Sequence, residues 1–73
     1  MTQQGTVRWF SRVKGYGFIK PFAGGDDVFV YYSDIVGNGY RNLWEGEQVE
    51  FEIVDEGKGP KAVNVIKGRR EYR

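Results

Sequence analysis

Alternation of apolar and polar positions is clearest from Gln48 to Val54, where Val49, Phe51 and Ile53 interleave with Gln48, Glu50 and Glu52. One face of that segment is core and the other wet, the mark of a half-buried strand. The same two-residue period recurs in Lys14-Gly15-Tyr16-Gly17-Phe18-Ile19 and in Val28-Phe29-Val30-Tyr31-Tyr32. Five strands are predicted: Thr6 to Ser11, Gly15 to Lys20, Asp27 to Tyr32, Gln48 to Val54 and Lys61 to Lys67. Residues 1–4 read as a loose start. Pro21 ends the second strand, and paired glycines after Phe22 and Ala23 make a hairpin connection. Ser33 to Val36 is expected to form one helical turn capped by Ser33. A loop rich in glycine covers 37–46, and Gly57-Lys58-Gly59-Pro60 turns the chain into the last strand. No stretch of ten or more residues holds a helical period. Five short antiparallel strands at this size are most economically closed into a barrel.

Which face of each strand points inward follows from side-chain size. In the second strand Lys14, Tyr16 and Phe18 share one face and Gly15, Gly17 and Ile19 the other. Placing Ile19 inside sets the glycines where the backbone curves tightly and leaves Tyr16 and Phe18 outside beside Lys14. In the third strand Val28 and Val30 take the inner face, and Phe29 and Tyr31 the outer. The hairpin makes these strands neighbours, so four aromatics form one surface patch. Ile19, Val28, Val30, Val49, Phe51 and Ile53 already supply a core, which argues against the alternative that the aromatics are themselves the core. Periodicity leaves Trp9 open. Strict alternation puts Val7 and Trp9 on one side, so an exposed Trp9 needs a bulge or twist in the first strand.

Composition narrows the possibilities. The chain has 73 residues, one domain's worth, with no Cys and no His. Disulfides, thiolate metal sites, and Cys- or Ser–His catalysis are thereby excluded. Val and Ile number 13 against four for Leu, Ala and Met together, an all-β balance. Val, Ile, Leu and Phe make 19 of 73, enough for a folded chain. No apolar run approaches a membrane span, and no signal-peptide pattern is evident, so a cytoplasmic protein is expected. The net charge is +1 but segregated: +4 over residues 1–25, −8 over 26–57 and +5 over 58–73. If the basic segments fold together, a polyanion-binding face exists on a near-neutral protein, with the acidic middle segment facing away. Cations beside exposed aromatics suit base stacking with phosphate contact.

These residues resemble a known family, the cold-shock domain, and within it the small stand-alone bacterial cold-shock proteins. The resemblance rests on Gly5-Thr6-Val7-Arg8-Trp9-Phe10, Lys14-Gly15-Tyr16-Gly17-Phe18-Ile19 and Asp26-Asp27-Val28-Phe29-Val30. Gly37 to Tyr40, Glu45-Gly46, Val49-Glu50-Phe51, Gly59-Pro60 and Asn64-Val65 add to it. It covers roughly residues 5–67, leaving 68–73 as a basic tail, either solvated or adding phosphate contacts. It implies an all-β, five-stranded antiparallel Greek-key barrel of the oligonucleotide-binding class. It further implies sequence-tolerant binding of single-stranded RNA and DNA, with a pyrimidine preference, and loosening of RNA secondary structure without ATP. Matched by position, the stacking residues are Trp9, Tyr16, Phe18, Phe29, Tyr31 and Tyr40, with Tyr32 at the platform edge. Arg8, Lys14 and Lys58 are implied contacts to backbone or base edges, and Ser11 belongs to the same set. The pattern also favours an exposed Trp9, while Trp44 is expected off the face.

The chain departs from the family's pattern in several places. Tyr31-Tyr32 stands where His and an aromatic are usual; tyrosine keeps a π-face and a hydroxyl but not imidazole's charge switch. Ser11 replaces the usual Asn, with a shorter reach. The 20–25 connection is one residue longer. Neither a cofactor nor a metal nor a small-molecule substrate is expected, and a monomer is. Regulation of transcription or translation would use the same face. The competing reading is a small barrel that docks a proline-rich peptide on its aromatics. An enzyme is not expected, because none of the acids of residues 26–56 is paired with another catalytic group in a recognisable spacing.

Overall fold

The structure is a computed structural model, and it describes residues 2–37, 42–55 and 57–67. The strands are β1 (Gln3–Ser11), β2 (Tyr16–Pro21), β3 (Val28–Tyr31), β4 (Gln48–Asp55) and β5 (Pro60–Lys67). They close in the order β1-β2-β3-β5-β4, with β4 returning to β1. The five predicted strands are therefore all present. Four seams are antiparallel, as expected. The fifth, between β3 and β5, is parallel, because these strands are not joined by a hairpin but meet after the chain has passed through β4.

Residues 3 and 4 are not a loose start. Gln3 and Gln4 pair with Phe51 and Glu50, so β1 begins three residues earlier than its side-chain pattern indicates. Backbone pairing to β4, which needs no apolar side chain, holds them. The expected helical turn is a 3-10 turn over Tyr32–Asp34, and Ser33 lies within it rather than capping it. Its N-cap is Tyr31, with no side-chain cap bond, and the Ile35 amide closes the turn on the Tyr32 carbonyl.

Inside the barrel lie Val7, Ile19, Val28, Val30, Val49, Phe51, Ala62 and Val65, with Ile35 and Leu43 closing the ends. Ile53, expected in this core, is only partly buried and packs against it. Two irregularities shape the wall. Along β1–β2, Val7 faces Ile19 and Trp9 faces Phe18, so Arg8 is an extra residue and the facing of side chains reverses after it. Along β4–β5, an extra residue falls between Val63 and Ile66, and Asn64 there takes φ 52°. Asparagine is among the few residues that tolerate this left-handed conformation, and its Nδ2 donates to Glu52 Oε1 at 3.2 Å.

Candidate nucleic-acid interface

The bulge at Arg8 resolves what periodicity left open. Val7 is buried and Trp9 is 44% exposed, on the outer side with Phe18. On β2 and β3 the alternation holds as read: Ile19, Val28 and Val30 are buried, and Tyr16, Phe18, Phe29 and Tyr31 face outward. Phe18 lies opposite Phe29 and Tyr16 opposite Tyr31. The rings form a connected series. Trp9 is 5.7 Å from Tyr16 and 5.6 Å from Phe18 between ring centres. Phe29 is 5.5 Å from Tyr16 and 5.8 Å from Phe18, and Tyr31 follows at 6.3 Å from Phe29. Tyr32 ends the series 5.3 Å from Tyr31. Because each central ring covers its neighbours' edges, Tyr16, Phe18 and Phe29 are half-buried while retaining surface.

Of the expected polar residues, Lys14 is exposed and lines a cavity with Phe10, Gly15, Tyr32 and Asn42. Lys58 shares a cleft of about 300 Å³ with Phe29, Pro60 and Lys61. Arg8 borders Trp9, but its Nε donates to Asp27 Oδ2 at 3.0 Å. Ser11 is used in the turn: its Oγ accepts the Lys14 amide and its carbonyl accepts the Gly15 amide. Tyr40 and the tail 68–73 lie outside the described residues.

The acidic segment divides. Glu50 and Glu52 stand on β4, separated from β2 by β1 on one side of the barrel, and by β5 and β3 on the other. Asp27 and Asp34 do not face away, because strand pairing brings them against the cations. Asp27 meets Arg8, and Asp34 lies 3.4 Å from the Lys61 ammonium. The solvent-accessible Arg8–Asp27 pair adds little stability; the Lys61–Asp34 pair is partly buried, and both set the local charge around the aromatic face.

Three residues were missed as site residues. Lys61 reaches Phe29 through the parallel β3–β5 contact, where the two are register partners. Lys20 ends the outward row of Tyr16 and Phe18 on β2; alternation alone would have found it. Trp44, expected off the face, stands beside it and shares a cleft with Trp9, Phe10 and Arg12. It begins a tight turn in which the Glu47 amide donates to the Trp44 carbonyl and Glu47 Oε1 accepts the Trp44 amide, both at 3.0 Å. Gly46 occupies the turn's third position with φ 88°. Gly46→Ala is expected to cost about 1–2 kcal/mol in urea unfolding, because alanine is strained at that φ. An unchanged midpoint would mean that the turn adopts another conformation.

The face thus offers flat π-surfaces in a row with cations at its edges. Comparison with known proteins agrees. The profile of the 'Cold-shock' DNA-binding domain matches residues 3–68. The cold shock-like protein CspC of Buchnera aphidicola is 58% identical over 63 residues, covering 86% of this chain and 91% of that one. The cold shock protein CspD of Bacillus subtilis is 54% identical over 65 residues, covering 89% and 97%. Among solved structures, Drosophila Unr CSD456 superposes with a TM-score of 0.80 at 19% identity. That match covers 94% of this chain and 27% of the other, and it speaks for the fold alone.

Proposed function

This chain belongs to the cold-shock domain family, and on that premise we propose that it binds single-stranded RNA and DNA by laying successive bases on its aromatic face. The observation that carries the reading is the connected series Trp9, Tyr16, Phe18, Phe29 and Tyr31 on the outer side of three strands, continued by Tyr32 of the 3-10 turn. Stacking tolerates any base, because every base has a π-face. Lys14, Lys58, Lys61 and Lys20 at the border supply phosphate contacts, while Arg8 acts with Asp27 as a mixed polar pair beside Trp9. Family membership makes the chain a binding protein rather than an enzyme.

Duplex RNA hides the base faces that this surface needs. Binding therefore draws RNA toward its open form by mass action and melts weak hairpins with no nucleotide hydrolysis. That is the action of an RNA chaperone. A preference for pyrimidines, implied by the family resemblance, is part of this reading. Control of transcription or translation would be an outcome of the same opening.

Fluorescence titration with oligo-dT at several salt concentrations tests the reading. Tryptophan emission is expected to be quenched, and log affinity to fall against log salt with a slope of about −2 to −3 if three or four phosphates are neutralised. A flat salt response would remove the phosphate contacts from the mechanism. No quenching at low salt by a folded chain would turn the face over to an uncharged partner such as a proline-rich peptide.

A further inference from the structure

The cleft between Trp9 and Trp44 borders the sheet face but is not part of it. Trp44 is 58% exposed, the most of any ring in the described residues. It is nevertheless held firmly. Its turn is bonded to β1 by the Val7 amide donating to the Glu47 carbonyl at 2.9 Å and the Gly46 amide donating to the Val7 carbonyl at 2.8 Å. The indole therefore stands on the end of the β1–β4 ladder, one residue from the bulge that turns Trp9 outward. The Arg12 guanidinium lies 5.5 Å from the centre of the Trp44 ring. Beneath them is Asn42, which is 2% exposed, with neither its amide nitrogen nor its amide oxygen hydrogen-bonded. Asn42 borders this cleft of about 230 Å³ and also the cavity on the Lys14 side, with its amide nitrogen and oxygen enclosed just beneath the surface.

An exposed indole on an anchored turn, a guanidinium beside it and a buried amide without partners call for one kind of occupant. It must have a flat face, an edge carrying a donor next to an acceptor, and an attached anion. A nucleotide has all three. We infer that the cleft takes one further nucleobase of the bound strand, the one following the base on Trp9, stacked on Trp44. Arg12 serves its phosphate, and the Asn42 amide, swung out from beneath the cleft as the base enters, serves its edge. This inference rests on the stacking function proposed for the sheet face. It makes the binding track longer than that face by one site.

The test compares wild type with Trp44→Ala, using labelled oligo-dT from about four to ten nucleotides, within the range of site sizes for such barrels. Short oligomers, which fill only the sheet face, are expected to bind both proteins equally. In wild type, one added nucleotide brings a step of about five-fold or more in affinity, as a stacked base does. Trp44→Ala loses that step, and Trp44→Tyr keeps part of it. The same step in Trp44→Ala as in wild type overturns the inference while leaving the sheet-face reading intact. Failure of wild type to bind any length overturns both. A second readout uses Trp9→Phe, in which Trp44 is the sole tryptophan. Longer oligomers are expected to quench its emission and short ones not; emission unmoved by a bound long oligomer also overturns the inference.

Discussion

Phe29→Ala is expected to weaken oligo-dT binding by about 1–3 kcal/mol, roughly five- to 150-fold, while the barrel remains folded. Phe29 sits at the centre of the ring series, touching Tyr16, Phe18 and Tyr31, and it is also the ring beside the Lys58–Lys61 cleft. Truncation removes a stacking surface and separates the rings on either side of it. Phe18→Ala should lose a similar amount. Each substitution also gives up ring-to-ring contacts on a solvent-facing surface, so a fall in stability accompanies the loss of affinity. Titration by fluorescence anisotropy reads the first effect and urea unfolding the second. If either variant unfolds outright, the rings are structural and the proposed function loses its surface.

The largest effect on stability is expected at Gly17. A Cβ built there overlaps the Trp9 carbonyl oxygen and comes within 2.9 Å of the Phe10 ring. The obstruction is backbone, which cannot swing aside as a side-chain tip does. Gly17→Ala is therefore expected to cost about 3 kcal/mol, the upper end for overpacking, a large share of a small domain's stability. It should also weaken binding, since relief of the clash must push β1 away from β2 where Trp9 is set. Chemical denaturation measures the cost. A variant as stable as wild type would mean that the bulge relaxes freely, and Trp9 would then not be rigidly mounted.

Gly17 also explains why part of the site could be read from the chain and part could not. The outward rows of β2 and β3 were legible because alternation is a property of a single extended backbone, and the supply of other core residues favoured Gly15, Gly17 and Ile19 as the inner row. The facing of Trp9 depends instead on how β1 pairs with β2. Its local signal is not in β1 at all but in the missing side chain at Gly17, which lets the Trp9 carbonyl approach. The family resemblance supplied the answer that periodicity withheld. Lys61 and Trp44 were out of reach for a related reason. One is placed by a parallel contact between strands distant in the chain, the other by a turn bonded to β1, and neither leaves a periodic trace. Gln3 and Gln4 were missed because their pairing is carried by amides and carbonyls that every sequence has.

The parallel contact has a mechanical consequence. It joins two residue pairs, Phe29 with Lys61 and Val30 with Ala62, whereas the other seams join four to six. Under shear or thermal agitation this is the joint with the fewest rungs, where the cylinder would first open. A strand laid from Phe29 toward Lys58 and Lys61 crosses that joint from outside, like lashing over a lap in a barrel hoop. Cargo and container then brace each other: the barrel is hardest to pry open when it is loaded.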